Sequence, residues 1–256
     1  MKTYLFLLAA LGLALPSAFA QDTVPAPQPP AWVQEFNNLP EADRKNYIEK
    51  FRQAEQFFAQ KRTMECLFSL LELEKIFSGN PGLYNLRGAC YIEIRNVEKA
   101  LENFKQALKL DPSNLTVQFN LAEARYISHD YAAALKALTE LLPHFKDNEG
   151  MTTLLQFKRY ICARKLGDQT LAKELESLHG PMDDTPYYYC VQAIIKYMDG
   201  DKDGAQEQLL SGVRIHEKTS ALQAFTDAMM EAGILPSPYG QTVPSPEPVK
   251  TGLERR

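Results

Sequence analysis

From residue 41 to residue 233, apolar and polar residues alternate with the spacing of amphipathic helices, and few prolines interrupt the pattern. Leu222, Phe225 and Met229, for example, are three and four residues apart and would share one face of a helix. Glycines such as Gly167 fall between the helical segments, where a chain commonly turns. The pattern predicts an all-α fold of about ten or eleven helices.

The helical segments repeat with a stride of about 34 residues. The copy at 81–114 is the best preserved and carries the spacing W-x2-L-G-x2-Y…A-x3-F…P. Its signature positions are occupied by Tyr84, Gly88, Tyr91, Ala100, Phe104, Ala107 and Pro112. Arg87 departs from the pattern, since that position is usually Leu. The copy resembles the tetratricopeptide repeat (TPR), a pair of antiparallel helices.

Stepping along the chain by this stride predicts five helical pairs and one capping helix. The predicted units are about 47–80, 81–114, 115–148, 153–185 and 186–219, and the cap is 220–233. The fourth unit has a short predicted second helix, near Leu171 to Leu178. A TPR unit buries its apolar face only by stacking on its neighbours. The resemblance therefore implies a right-handed α-solenoid of TPR units over residues 40–233, with a concave inner surface.

Residues 1–20 have the layout of a secretory signal peptide. Lys2 supplies a positive charge, Tyr4 to Leu15 is an apolar run, and Ala18-Phe19-Ala20 presents small residues before the expected cleavage. The run is shorter than the ~20 residues that span a bilayer, although an uncleaved anchor stays an alternative. We therefore expect export, to a periplasmic or extracellular location, with no integral membrane span after cleavage.

Prolines are concentrated on both sides of the helical region. Proline lacks a backbone N–H and fixes its own φ, so it disfavours regular helix and strand. Residues 21–39 are therefore predicted to be a disordered linker, and residues 234–256 a disordered tail.

Charge and motifs narrow the function. The chain has 28 Lys and Arg residues against 32 Asp and Glu residues, whereas a nucleic-acid binder normally shows a basic face. It contains no H-E-x-x-H, G-x-S-x-G, Walker or G-x-G-x-x-G motif. Its histidines share no ligand spacing with its cysteines. We therefore expect no enzyme activity, no cofactor, no metal site and no nucleic-acid partner.

Four cysteines, Cys66, Cys90, Cys162 and Cys190, each lie inside a helical pattern beside apolar neighbours. Cysteine is among the most buried residue types even when it is unpaired, which favours buried thiols. Export leaves disulfides open as the alternative, with Cys66–Cys90 and Cys162–Cys190 as the pairs to test.

Asn114-Leu115-Thr116 matches the N-glycosylation sequon and falls at a junction between predicted repeats. Modification at Asn114 is an expectation only if the source is a eukaryote. The sequence leaves that question open.

The TPR resemblance implies that the inner surface is lined by the first helix of each unit. Carrying the inner positions of the repeat over to this chain predicts a partner-binding groove rich in aromatic residues. The predicted lining is Phe51, Phe58, Asn85, Ile92, Phe119, Glu123, Tyr126, Phe157, Arg164, Tyr187, Ile194 and Tyr197. A register error of one residue would instead place several of these side chains in the core between repeats.

The leading functional hypothesis is an exported TPR scaffold or adaptor that binds an extended or helical peptide of a partner protein in this groove. The resemblance suggests envelope or secretion assembly as the setting. The alternative is a structural or self-associating spacer, whose groove is occupied by a second copy or by its own tail from Leu235 to Val249. The sequence leaves open whether the protein forms a homo-oligomer.

Overall fold

The computed structural model describes residues 29–183, 185–216 and 219–235. In these ranges the chain forms twelve α-helices and one 3-10 helix, and no strand. The helices are α1 (Ala31–Asn37), α2 (Glu41–Ala59), α3 (Thr63–Ile76), α4 (Pro81–Glu93), α5 (Val97–Leu110), α6 (Leu115–Ile127), α7 (Tyr131–Leu141), α8 (Glu149–Leu166), α9 (Gln169–Glu176), α10 (Pro186–Met198), α11 (Lys202–His216) and α12 (Thr219–Glu231). The 3-10 helix Leu142–Phe145 follows α7. The predicted all-α fold is confirmed.

The helices belong to two compact units. Unit 1 consists of the residues up to Ser128 together with Ala133–Asn148, and unit 2 consists of His129–Ala132 together with the residues from Glu149 onwards. The predicted signal peptide, residues 21–28 of the predicted linker and the predicted tail from residue 236 lie outside the described residues.

In unit 1, α2 packs on α3, α4 packs on α5, and α3 also contacts α4. The start of α4 follows the sequence: the Asn80 side chain accepts a hydrogen bond from the Gly82 N–H at 2.8 Å, and Pro81 is the first helical residue. The two helices of this pair approach closely, because a Cβ added at Gly88 would lie 2.5 Å from the Phe104 ring. Asn114 caps α6 by accepting from the Val117 N–H at 3.2 Å.

Helix α1 was not predicted from the sequence, which assigned its residues to the disordered linker 21–39. It forms because it has a tertiary partner. The Phe36 ring lies 5.3 Å from the Tyr47 ring and 5.5 Å from the Phe77 ring, and this aromatic contact fixes the helix against α2 and the end of α3. The linker prediction is wrong for residues 31–37.

Unit 2 contains the α8–α9 and α10–α11 pairs, with α12 packed against α8, α10 and α11. The Phe157 ring meets the Phe225 ring edge-on at 5.0 Å between centroids. The end of α12 is held by polar contacts: His129 Nε2 donates to the Glu231 carbonyl at 2.9 Å, and the buried Lys158 ammonium lies 3.3 Å from the Glu231 carboxylate.

Two predicted boundaries are too late. Helix α2 begins at Glu41 rather than near residue 47. The helical pattern continues upstream of residue 47 as far as Pro40, which precedes the first helical residue. Helix α8 begins at Glu149 rather than near residue 153, after the 3-10 helix that interrupts the stride. The second helix of that pair is short, as predicted, and the cap α12 ends two residues before Gly233.

The described residues can be examined for membrane-spanning helices, metal-ligand clusters and disulfides. None of their helices is both long and apolar enough to cross a membrane. Within the same ranges, no three His, Cys, Asp or Glu side chains are grouped as metal ligands would be. All four cysteines are buried as thiols, as the sequence favoured.

Candidate partner-binding surface

The predicted groove residues of unit 1 are core residues. Phe51, Phe58 and Ile92 belong to one apolar cluster, to which every helix from α2 to α6 contributes. Asn85 is also buried, and it accepts a hydrogen bond from the Asn120 side chain at 2.9 Å. This contact explains why the predicted groove residues are buried. The helix faces that were assigned to a groove are the faces through which α4 and α6, the first helices of consecutive pairs, pack on each other.

The predicted groove residues of α6 are buried as well, namely Phe119, Glu123 and Tyr126. They belong to the helix that follows the best-preserved repeat. None of them presents the exposed ring or carboxylate that the groove prediction required.

The same holds in unit 2. Phe157, Tyr187 and Ile194 have no exposed surface. The Phe157 and Tyr187 rings pack edge-on at 5.7 Å, and the Tyr187 hydroxyl donates to the Leu175 carbonyl at 2.7 Å. Arg164 and Tyr197 are half-buried. The prediction of an exposed aromatic groove at these positions is wrong, and the alternative of ordinary core packing is what the structure shows.

The signature residues of the repeat at 81–114 also serve packing. Ala100, Phe104 and Ala107 are fully buried on α5, and Tyr84 and Gly88 are buried on α4. Tyr91 is half-buried, and Pro112 lies in the turn after α5.

A polar network explains the departure at Arg87. Its guanidinium donates to Glu74 Oε2 at 2.7 Å and to the Leu70 carbonyl at 3.2 Å. The Tyr84 hydroxyl donates to Glu74 Oε1 at 3.1 Å. The Arg87 hydrogen bond lowers the pKa of Glu74, and burial raises the pKa of Tyr84. Arg87 therefore links α4 to α3, a role that Leu could not fill.

Unit 2 has a similar network with another connectivity. Arg164 of α8 donates to Glu176 of α9 at 3.0 Å, and the Tyr160 hydroxyl donates to the same carboxylate oxygen at 3.1 Å. Burial raises the pKa of Tyr160. Arg164, predicted to line a groove, instead joins the two helices of one pair.

Among the residues that the structure describes, three exposed apolar side chains share one face of α3. Met64, Phe68 and Leu71 are 66%, 66% and 52% exposed, and they follow the i, i+4, i+7 spacing of a single face. We call these three residues the α3 apolar face. The opposite side of the helix is fully buried, at Leu70 and Leu73. Helix α3 is therefore apolar on two sides, of which the core uses one.

The next repeat shows what the fold itself requires at these positions. One stride further along, α5 carries Glu98, Glu102 and Lys105 in place of Met64, Phe68 and Leu71, and all three are exposed. Two strides along, the equivalent residues are Ala132, Lys136 and Thr139, which are also exposed. Because charged and small residues serve equally well there, packing does not account for the α3 apolar face.

Acidic side chains border this face on one side. Glu65 and Glu72 are seven residues apart, so they lie on the same flank of α3. Arg62 donates to Glu65 at 3.1 Å and Lys75 donates to Glu72 at 2.7 Å. The hydrogen bond from Lys75 lowers the pKa of Glu72. The face therefore combines an apolar centre with an ionised acidic border.

Sequence reasoning missed this surface because it searched the inner positions of the repeat. The signal was nevertheless present. Lining up α3 with α5 at the 34-residue stride places Phe68 against Glu102, a contrast that buried positions such as Cys66 and Ala100 do not show.

The comparisons with known proteins agree with the helical pairs. Residues 82–114 match the family model described as the tetratricopeptide repeat. Anaphase-promoting complex subunit 3 of Dictyostelium discoideum is 35% identical over 74 residues, which cover 29% of this chain and 8% of that protein. A tetratricopeptide repeat protein 21 homolog of Caenorhabditis briggsae is 25% identical over 138 residues, which cover 51% of this chain and 10% of that protein.

Among solved structures, YrrB, described as a TPR protein with an unusual peptide-binding site, has a similar fold. Its TM-score is 0.52 at 15% identity, and the match covers 77% of this chain and 96% of that one. Residues 82–114 therefore match the TPR family, and the chain has the fold of TPR proteins, which act as scaffolds for protein–protein interaction. It spans at most 10% of the length of the two curated relatives.

Proposed function

We propose that the chain is an exported adaptor whose α3 apolar face binds an amphipathic helix of a partner polypeptide. The observation that carries this proposal is the exposure of Met64, Phe68 and Leu71 on one face, where the next repeat carries charges. Export rests on the signal-peptide layout of residues 1–20, and envelope or secretion assembly is the proposed setting.

Exposed apolar side chains at one place on a protein surface commonly mark an interface. Completing the burial of Met64, Phe68 and Leu71 would stabilise a complex by on the order of 1 to 2 kcal/mol for each side chain. Part of this gain is offset by the loss of translational and rotational freedom on binding. The phenyl ring of Phe68 lies between the other two side chains and is the natural anchor of such an interface.

The shape of the face favours a helix as the occupant. From Met64 to Leu71 the face is two helical turns long, about 10 Å at 1.5 Å per residue. A partner helix that places apolar residues at the same spacing covers it with two turns of its own. YrrB, which shares the fold, is described as having a peptide-binding site, so ligands of this class are compatible with TPR proteins.

The acidic border selects among possible helices. A partner with Lys or Arg along one edge of its apolar stripe would place these cations next to Glu65 and Glu72. An antiparallel pairing of α3 with a second copy would instead bring Glu65 of one chain opposite Glu72 of the other. Such a pairing brings together carboxylates that are already held by Arg62 and Lys75, and it offers them no new cation. We therefore assign the face to a partner protein rather than to a second copy.

A defined peptide tests the proposal. The probe is a synthetic helix with Leu at i, i+4 and i+7 and Lys along one border of that stripe. We expect fluorescence anisotropy to show binding to the full chain. Affinity should fall at least about tenfold for the combined variant Met64→Glu, Phe68→Glu and Leu71→Lys, which installs the residues of the next repeat.

The matched control is Glu98→Lys, Glu102→Lys and Lys105→Glu on α5, which should leave the affinity unchanged. A second probe with Glu in place of Lys along its border should bind more weakly than the first. Equal binding by the α3 variant would contradict the proposal. Sedimentation that shows a dimer which only the α3 variant dissociates would assign the face to a second copy and overturn it as well.

Export is tested separately. N-terminal sequencing of the protein recovered from its source should begin at Gln21, directly after the small residues of the predicted cleavage site. A protein that retains Met1 and stays inside the cell would contradict export without affecting the peptide-binding result.

A further inference from the structure

Helix α12 does not take the position that a further repeat would give it. In unit 1, α6 follows the α4–α5 pair and packs mainly on α5, the second helix of that pair, and less on α4. Helix α12 follows the α10–α11 pair, yet it packs more on α10 than on α11, and it also contacts α8. It therefore lies across two first helices of unit 2, the helices to which the TPR resemblance assigns the binding surface.

The surface that α12 covers is aromatic. The Phe225 ring of α12 meets the Phe157 ring of α8 edge-on at 5.0 Å, and Phe157 in turn packs edge-on against Tyr187 of α10 at 5.7 Å. The buried Leu222, Phe225 and Met229 follow the spacing of one face of α12. Helix α12 thus contacts the first helices as an amphipathic helix with an aromatic side chain at its centre.

Polar contacts hold the carboxyl-terminal end of α12. The Lys158 side chain of α8 is only 4% exposed, and its ammonium lies 3.3 Å from the Glu231 carboxylate. His129 Nε2 donates to the Glu231 carbonyl at 2.9 Å, and the Tyr131 hydroxyl donates to the Ala232 carbonyl at 3.4 Å. A buried ammonium is costly unless a carboxylate compensates it. The surface therefore favours a helix that carries an acidic residue near its carboxyl-terminal end.

The packing of α12 against α11 is incomplete. A cleft of about 270 Å³ lies between the two helices, lined by Leu209, Val213, Leu222, Gln223 and Thr226. Apolar side chains beside a gap lose the contacts that a close-packed interface supplies. The contact with α11 therefore holds α12 less firmly than a continuous interface would.

We propose that the surface of α8 and α10 under α12 is a second helix-binding site, and that α12 is its resting occupant. The partner is an amphipathic helix with the chemistry of α12. It carries apolar residues at i, i+3 and i+7, of which the second is aromatic, and a carboxylate six residues after the aromatic residue. Such a helix displaces α12 by making the same contacts with Phe157 and Lys158. The site is independent of the α3 apolar face, whose acidic border selects the opposite charge.

The two occupants compete for one surface. Because α12 belongs to the same chain, it acts at a high effective concentration. The measured affinity for a partner is the intrinsic affinity reduced by the fraction of molecules in which α12 is undocked. Loosening α12 should therefore strengthen partner binding. A helix that only caps the fold would give no such gain.

A peptide with the sequence of residues 219–232, labelled at its amino terminus, tests the proposal by fluorescence anisotropy with the full chain. Glu231→Gln loosens α12 and keeps its apolar contacts. We expect this variant to bind the peptide at least about tenfold more tightly than the unmodified chain, because the peptide supplies the missing carboxylate. Phe225→Ala should also bind it more tightly. The matched control is Gln223→Ala, at an exposed position of α12, which should leave the affinity unchanged.

Two further readouts locate the bound peptide. Saturating peptide should accelerate hydrogen exchange of the α12 amides in the Glu231→Gln chain, while the amides of α8 and α10 stay protected. A second peptide with Lys in place of its Glu should bind more weakly, since it brings a like charge to the Lys158 ammonium.

Three results would overturn the inference. The first is a peptide affinity for Glu231→Gln that is no higher than for the unmodified chain, and this variant decides if Phe225→Ala does not fold. The second is tighter binding with unchanged exchange of the α12 amides, which would place the peptide on another surface. The third is equal affinity for the Glu and Lys peptides, which would show that Lys158 does not contact the bound helix.

Discussion

The turns between paired helices reach the same backbone conformation with different residues in the two units. In unit 1 the turns are made by Lys61 and Arg95, with φ of 60° and 64°. In unit 2 the corresponding turns after α8 and α10 are made by Gly167 and Gly200, with φ of 77° and 88°. All four residues are in the left-handed region, which glycine adopts freely and other residues adopt at a cost.

The hydrogen bonds of these turns are the same in both units. In unit 1, the Asn96 N–H donates to the Tyr91 carbonyl at 2.8 Å. In unit 2, the Asp168 N–H donates to the Ala163 carbonyl at 2.9 Å. In each case the donor lies five residues after the acceptor and directly follows the left-handed residue. This is the Schellman arrangement that satisfies the last carbonyl groups of a helix.

The difference shows where each unit obtains its turns. In the turns after α8 and α10, the glycine itself makes the conformation accessible. In unit 1 the helical pairs on both sides impose the conformation on Lys61 and Arg95, at about 1–2 kcal/mol for each residue. Core contacts of unit 1, such as the Gly88–Phe104 approach, must outweigh that cost.

The largest expected effect comes from replacing a left-handed glycine in a turn of unit 2. Gly167→Ala should destabilise unit 2 by about 1–2 kcal/mol, because an added Cβ meets no other atom within 4 Å and the cost is that of the backbone alone. Urea unfolding followed by far-UV circular dichroism measures it. Gly180→Ala is the control, since its φ is not left-handed and its nearest atom is 4.0 Å away. Equal losses in both variants would contradict the explanation.

An intermediate effect concerns the polar networks, which also differ between the units. Glu74 and Arg87 connect two successive pairs, whereas Glu176 and Arg164 connect the helices of one pair. Glu74→Gln should lower the free energy of unfolding of unit 1 by about 1 kcal/mol at neutral pH. This is more than a fully exposed ion pair usually contributes, because Arg87 is half-buried. The fluorescence of Trp32, the single tryptophan of the chain, reports unit 1.

The sign of the pH dependence follows from the lowered pKa of Glu74. Its folded-state pKa is below the unfolded value of about 4.3, so the stabilisation is complete above that value and disappears as the pH falls through the folded-state pKa. Glu74→Gln should remove this part of the acid dependence. Arg87→Met should remove the same part, and the double variant should remove no more. Independent, additive losses would show that the two groups act separately.

The smallest expected effect concerns the left-handed turn residue Arg95 of unit 1. Arg95→Gly should stabilise unit 1 by about 0.5 kcal/mol, because relief of the left-handed strain exceeds the added entropy of glycine in the unfolded chain. Arg95→Ala keeps the strain and should change little. The difference is measured by urea unfolding with Trp32 fluorescence. A destabilised Arg95→Gly protein would show that the turn is not strained.

The sequence predicted the helical pairs of the repeats better than it predicted the partner-binding surface. The spacing from Tyr84 to Pro112 defines one helical pair, and Asn80-Pro81 marks its start, because these signals are local. Helix α1 was missed because it depends on the contact of Phe36 with Tyr47, which no local pattern records.

The groove prediction was wrong for a physical reason. Aromatic residues such as Phe157 satisfy both an inner lining and the core between first helices, and periodicity does not distinguish the two. The exposed face of α3 can be recognised only by comparing repeats, as Phe68 with Glu102, since a burial pattern read from one helix assigns all its apolar residues to the core.

The hydrogen bond between Asn85 and Asn120 has a consequence for how the repeats recognise one another. Similar helical pairs can dock in the wrong order or shifted along their axes, and apolar surfaces discriminate poorly between such arrangements. A shifted pair would strand both amides in an apolar interior, at about 1–3 kcal/mol for each unsatisfied group. This single hydrogen bond between α4 and α6 therefore favours one alignment of the two helices over shifted alignments.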